Sequence, residues 1–194
     1  LRADVPGRKR LRKGFYRRPT LEVARDLLGR VLCRRLPLGG LLRGRIVEVE
    51  AYDGPNDRAS HAHRGRTRRN APMFEAGGAA YVYQVYGVHH CLNVVTGDVD
   101  YPAAVLIRAT EPPAGAASTS GPGRLCRAFH IDRALDGCSL TGKELWLEEG
   151  TAVRDADVRR TPRIGVDYAG AWARRTYRFV IRGHPDASGP RRMR

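Results

Sequence analysis

Apolar residues recur at helical spacing at Leu21, Ala24 and Leu28, after an N-cap signal at Pro19-Thr20 and before a closing Gly29, which predicts one short amphipathic helix. The pattern then changes to short β-branched runs. Residues 31–36 and 41–52 flank Pro37-Leu38-Gly39-Gly40 and read as two antiparallel strands joined by a turn. Residues 53–71 hold Gly, Pro, Asn, Arg and two histidines without periodicity, which predicts a long surface loop of the kind that usually carries function. Residues 79–85 and 88–95 form another strand pair bent at Tyr86-Gly87, and 103–109 a further strand. After a Ser, Thr and Gly-rich linker over 114–121, a helix is expected to start near Gly123, with Leu125, Cys126 and Phe129 on one buried face. A last strand is expected over 177–181, and there is no internal repeat. Strands outnumber helices and do not alternate with them as βαβ units. The predicted class is therefore α+β: a single domain with a curved, mainly antiparallel sheet flanked by helices, from which the 79–95 hairpin protrudes.

A length of 194 residues fits one domain, here divided into a basic N-terminal arm over 1–18 and a folded domain over 19–194. Hydrophobic residues at 42% and charged residues at 28% exclude a disordered or fibrous chain. The charge is unusual: 35 Lys and Arg against 20 Asp and Glu give +15, and only Lys9, Lys13 and Lys143 are lysines. Guanidinium groups pair bidentately with phosphate, so the excess points to nucleic acid, with genomic base composition as the competing explanation. Cys33, Cys91, Cys126 and Cys138 are too widely spaced for a zinc module or a disulfide framework and read as reduced thiols in an intracellular compartment. The first twenty residues carry eight Arg or Lys and no apolar run, unlike a secretory signal, and the start at Leu1 suggests a processed or truncated chain. The weakly charged stretch 79–95 is shorter than the roughly 20 apolar residues of a membrane span.

Alternation along Ile46-Val47-Glu48-Val49-Glu50-Ala51-Tyr52 places Glu48, Glu50, Ile46 and Tyr52 on one face. Two carboxylates so placed are either a solvated face balanced by arginines or, in a dry cleft, a pair whose repulsion suits acid and base work. The strand runs straight into the 53–71 loop, where Arg58, Arg64, Arg66, Arg68 and Arg69 follow Asp57 with no further acid. His61 and His63 have no third ligand at metal spacing, so hydrogen bonding to backbone or DNA is expected of them and no metal. Tyr81, Tyr83 and Tyr86 crowd the hairpin. They either fill a sheet face, or Tyr86 at the exposed tip acts as a wedge between base pairs while a recessed tyrosine stacks on an extruded base.

Taken in order, the run from Arg45 to His61, the hairpin from Tyr81 to Asn93, Val105-Leu106-Ile107-Arg108-Ala109, Gly121-Pro122-Gly123-Arg124-Leu125-Cys126 and Arg163-Ile164-Gly165-Val166 with Ala169 and Trp172-Ala173 resemble the alkyladenine, or 3-methyladenine, DNA glycosylase family over most of residues 20–183. The resemblance implies a single α+β catalytic domain, here 19–194, that flips alkylated or deaminated purines out of duplex DNA and hydrolyses the N-glycosidic bond in base excision repair. It implies a monofunctional enzyme without metal or organic cofactor. Glu50 matches the general base and Arg108 a residue near the catalytic water and DNA backbone. Tyr52, His61 and Tyr83 match the pocket for the flipped base, Asn93 the screen against purines bearing an exocyclic amino group, and Tyr86 the side chain that fills the gap in the duplex. Arg64, Arg66, Arg68, Arg69 and Arg124 are the candidate DNA-binding cations. The partner is then double-stranded DNA containing damaged purines, the protein a monomer that binds no membrane, and its location intracellular: the cytoplasm or nucleoid in a bacterium, the nucleus in a eukaryote. One departure stands out: the family usually carries a longer basic, helical segment between Glu111 and Gly121, and this chain has only residues 112–120. Two other classes remain in competition, a non-catalytic nucleic-acid binding module in which Glu50 is structural, and a nucleosidase using the paired acids on free nucleosides.

Overall fold

The computed structural model describes residues 8–189. In chain order these form α1 (Lys13–Tyr16), α2 (Thr20–Leu27), β1 (Val31–Arg35), β2 (Leu41–Tyr52), β3 (Ala80–Val85), β4 (His89–Val95), β5 (Ala104–Thr110), α3 (Pro122–Ala128), β6 (Leu145–Glu148), β7 (Val158–Thr161) and β8 (Arg178–Ile181). Every strand pairing is antiparallel, in the order β3-β4-β5-β2-β1-β6, with β8 joining β2 and β7. This is the expected α+β sheet.

β2 is the spine. Its first half pairs β1 from Leu41 to Arg45, and its second half pairs β5 from Ile46 to Tyr52 and β8 from Glu48 to Glu50. Changing partners midway bends the strand, and the pairing with β5 slips between Ile46 and Val49, as at a bulge. The slip corrects one expectation: Ile46 does not share the face of Glu48 and Glu50 but joins Val47 in the core. Gly44 sits where the two halves meet. A Cβ there would collide with the Glu111 carbonyl oxygen and lie 2.8 Å from the Phe129 ring, so only glycine allows the approach.

Strand alternation divides the molecule. Val49, Ala51, Val82, Leu92, Val94, Val105 and Ile107 turn to one side, where Val23, Ala24 and Leu27 of α2 and Leu125, Cys126 and Phe129 complete the main core. The intervening residues, including Glu48, Glu50, Tyr81, Tyr83, Asn93 and Arg108, belong to the other side.

Two details of α2 differ from the pattern read along the chain. Its buried face is Thr20, Val23, Ala24 and Leu27, and Leu21 is only partly covered. Within the Pro19-Thr20 signal the cap is Pro19; Thr20 is the first helical residue, caps nothing with its side chain, and its hydroxyl meets that of Thr96 at 3.1 Å. Gly29 ends the helix as expected, at φ 85°, donating to the Ile46 carbonyl. Residues 1–7 of the expected arm lie outside the described residues. From Arg10 on, that segment rests on the sheet: Leu11 donates to the Leu147 carbonyl, and Tyr16 is buried. β6 and β7 were not anticipated, because four residues each, with arginines in β7, leave too short a pattern to read.

Loop 53–70 is tied down by Asp57, which is fully buried. Its carboxylate accepts from the backbone N–H groups of Asp53 and Ala59 and takes a two-pronged bond from Arg163. All four cysteines are free thiols, and no helix among the described residues is long and apolar enough to cross a membrane.

A second buried ionic knot joins β2, β5, β8 and the chain beyond β8. Glu48 accepts from Arg178 Nε at 2.7 Å, from Arg108 Nε at 2.9 Å and from the Ser188 hydroxyl at 2.8 Å, and also from the Ser188 backbone. Removing one partner leaves a buried charge without its counterpart. Arg178→Ala should therefore cost about 3–5 kcal/mol of folding stability, read as a lowered midpoint in chemical denaturation; a midpoint within error of the parent protein would show the knot to be dispensable.

Candidate active site

The polar side of the sheet opens into a cavity of about 270 Å³. It falls just below the roughly 300–1,000 Å³ typical of drug-sized ligand pockets, a size suited to one flat ring system. Tyr52, His61, Arg69, Tyr83, Asn93 and Arg108 all line it, so most of the residues singled out in the sequence converge although they span β2, the 53–70 loop, β3, β4 and β5.

One wall is aromatic. His61 and Tyr83 meet edge to face with centroids 4.5 Å apart, and Tyr81 and Tyr83 are 5.3 Å apart and tilted. His61 Nδ1 lies 3.0 Å from the Tyr81 hydroxyl. Burial against these rings, then the Arg69 charge, holds the His61 pKa below the usual histidine range, which favours a neutral ring with one donor and one acceptor. His63 is elsewhere, against the Pro55 carbonyl, so the two histidines of the loop do not act as a pair. Burial pushes Tyr81 up to about 12 and raises Tyr83 and Tyr52 further, so all three phenols stay protonated at neutral pH. Asn93 donates to the Tyr81 carbonyl at 3.1 Å across the β3–β4 pair, which orients its amide.

Glu50, unlike the other expected pocket residues, does not line the cavity: it lies behind Tyr52 and Arg108, which do. Glu50 is fully buried. One oxygen accepts from the Ile164 backbone N–H at 2.8 Å, and the other from the Tyr52 hydroxyl at 3.0 Å and from Arg108 Nη1 at 3.3 Å. A carboxylate offers about four lone-pair sites, so roughly one acceptor position remains. Arg108 bridges the two acids: burial alone would lower its pKa, but Glu50 and Glu48 outweigh this and hold it charged. The two carboxylates do share a face, as alternation required. They are separated by a cation rather than left to repel each other, and Glu48, with its oxygens taken, belongs to the fold.

Tyr86 is outside the cavity, at the tip of the hairpin, with 91% of its surface exposed. Tyr86 and Gly87 both have positive φ, 52° and 71°, as the mirror-image turns that suit hairpin twist require. A tyrosine in that conformation is strained, and strain of this kind gathers at functional sites.

The candidate cations divide. Arg66 is engaged by Glu75 and Asp100 and lies over the Phe74 ring. Arg69 donates to the Gln84 carbonyl and lies 5.7 Å from the Tyr83 ring centroid, at the cavity mouth. Arg124 is exposed and bonded to the Ser120 carbonyl; Arg64 and Arg68 are exposed. The short 112–120 connection is secured at its far end, where the Thr119 hydroxyl donates to the Thr110 carbonyl and Gly121 N to the Arg108 carbonyl, delivering Pro122 to the cavity wall.

Sequence reasoning missed Tyr81 as the partner of His61, and it missed Asp57 and Arg163. Arg163 also donates to the Ala51 carbonyl and lies 4.8 Å from the Tyr52 ring centroid, so it steadies a cavity residue from behind. A lone acid in an arginine-rich loop was the available signal for Asp57. Met73 and Tyr168 also line the cavity and carried no signal, whereas Gly165 and Val166, which line it too, belong to a motif that carried the resemblance. Among the described residues, no group of three or more His, Cys, Asp or Glu side chains could hold a metal ion.

Comparison with known proteins agrees with the resemblance. Residues 14–185 match the methylpurine-DNA glycosylase family. A protein of Anaeromyxobacter dehalogenans that carries the provisional name 3-methyladenine DNA glycosylase is 53% identical over 93% of this chain and 87% of its own length. Similarly named proteins of Methanocella arvoryzae and Streptomyces avermitilis are 50% identical over 92% of this chain and 95% of theirs, and 45% identical over 98% of each. A match over nearly the whole domain, in which the arginine bonded to Glu50 and the aromatic wall meet at one cavity, means that the chain belongs to the methylpurine-DNA glycosylase family and is a DNA glycosylase, a hydrolase of N-glycosyl bonds.

Proposed function

We infer that this protein removes alkylated or deaminated purines from duplex DNA by flipping the damaged nucleotide into the cavity and hydrolysing its N-glycosidic bond to leave an abasic site. The observation that carries this reading is the single hairpin that places Tyr83 in the cavity wall and Tyr86 on the exposed tip, beside a buried carboxylate with an acceptor position to spare.

In this reading Tyr86 fills the space vacated in the stack, and the extruded base lies against Tyr52 and Tyr83 with a polar contact to His61. Damaged or mispaired bases cost less to unstack, which contributes selectivity before any contact is made in the pocket. Glu50 takes the proton of a water held between it and Arg108, and its charge stabilises the cation that develops on the sugar as the bond breaks. An alkylated purine already carries positive charge and leaves readily, whereas a neutral deaminated base needs a proton to leave. With water as nucleophile no covalent intermediate forms, and the enzyme is monofunctional. Arg64, Arg68, Arg69 and Arg124 hold phosphates, with Arg66 partly neutralised by its acidic neighbours. The protein acts as a monomer inside the cell, where its substrate is.

Three substitutions test this. Glu50→Gln should slow single-turnover base release from a duplex with one lesion by at least about 10²-fold while lesion binding stays within a few-fold; unchanged release would remove Glu50 as the base. Tyr86→Ala should shorten residence on lesion duplex much more than it weakens binding to undamaged duplex, and equal losses would show that the tip is no wedge. Asn93→Ser should admit guanine-type bases, visible as new release products; an unaltered product profile would take selectivity away from Asn93.

A further inference from the structure

The hairpin that closes the base cavity also walls a second one, of about 220 Å³, on its other side. His89 and His90 of β4, Arg127 of α3 and His130 just beyond α3 surround it. The two cavities are divided by a single layer of chain: Cys91 and Pro122 line the base cavity, whereas His90 and Gly123, their immediate neighbours, line the second.

Its chemistry is one-sided. Among the described residues, no side-chain hydrogen bond or ion pair engages His89, His90, His130 or Arg127. Asp132 is the lone carboxylate in the lining, and one of its oxygens already accepts from the Ala134 backbone N–H at 2.9 Å. The cavity therefore presents one permanent positive charge and three imidazoles, each able to donate an N–H in either protonation state. A metal ion does not fit, since no three ligating side chains are placed for one. An anion does.

The backbone is arranged to hold this group together. A Cβ at Gly123 would fall 3.2 Å from the His89 Cβ, so glycine lets α3 press against the start of β4, and Arg127 follows four residues later on the same helix face. His130 is held at φ 51°, a conformation that residues other than glycine rarely adopt.

We propose that this second cavity receives a phosphate of the DNA backbone close to the flipped nucleotide. The inference rests on the repair reading and adds to it a contact on the far side of the hairpin from the base. Val88, two residues past Tyr86, already lines the cavity. Two residues of chain reach at most about 7 Å and less across a turn, so the cavity begins within that distance of the tip, which places the phosphate within about three nucleotides of the gap that Tyr86 fills.

The test uses lesion duplexes in which one backbone phosphate at a time is replaced by a neutral methylphosphonate, with binding measured by fluorescence anisotropy for the wild type, His89→Ala/Arg127→Ala and Arg127→Lys. For the wild type, one or two positions within about three nucleotides of the lesion should each weaken binding on the order of tenfold. At those positions alone, the double variant should be indifferent to the replacement, and Arg127→Lys should regain part of the sensitivity. If the double variant keeps the wild-type sensitivity at every position, the phosphate site is overturned. If the wild type binds no duplex, the repair reading itself fails, so the two failures are told apart.

Discussion

Glu48 and Glu50 lie two residues apart on one strand face, both fully buried, and the rest of the architecture follows from the need to neutralise them. Two unpaired carboxylates at that depth would cost several kcal/mol each. Arg108 is placed between them from β5, Arg178 reaches Glu48 from β8, and Ser188 covers what remains. β2 must therefore keep β5 on one edge and β8 on the other at this point in its length, which is where its pairing slips and its direction changes. The arrangement is unequal: Glu48 has its oxygens taken by Arg178, Arg108 and Ser188, and Glu50 is held by three donors, the Ile164 backbone, Tyr52 and Arg108.

Strand alternation turns this local demand into a working site. One side of β2, β4 and β5 is aliphatic and carries the helices, so the other side is free to be polar without leaving a hole in the core. Glu50, Arg108, Tyr81, Tyr83 and Asn93 all stand on paired strands, whose register fixes them more firmly than a loop could. The 53–70 loop contributes His61 and Arg69, and the buried Asp57–Arg163 pair makes that segment an extension of the scaffold.

Much of this was legible in the chain, for identifiable reasons. The alternation of Glu48, Val49 and Glu50 states which side each residue takes, Tyr86-Gly87 states where the hairpin turns, and Leu125, Cys126 and Phe129 state how α3 packs. The placement of Ile46 was not legible, because a bulge breaks the period that the reading relies on. The N-cap signal at Pro19-Thr20 resolves onto Pro19, and the Thr20 hydroxyl turns instead to a tertiary partner in Thr96, 76 residues away, which no local pattern states. Long-range ion pairs such as Asp57 with Arg163, 106 residues apart, leave no local pattern at all. Nor does the meeting of His89 and His90 with Arg127 and His130, since only the close approach at Gly123 brings them to one cavity.

The arginine excess looks different once its members are placed. Arg108, Arg163 and Arg178 are paired in the interior with Glu48, Glu50 and Asp57, as many cations as anions, so the formal excess of +15 is carried by the remainder of the chain. Burial of acids in matched sets therefore makes the exterior more cationic for its size than the composition states. The choice of arginine is physical in both places: inside, a planar fork satisfies a carboxylate with two bonds, as Arg163 does for Asp57; outside, the same fork fits a phosphate. A composition bias could supply the residues. It does not account for their division into a neutral interior and a cationic surface around a cavity of about 270 Å³.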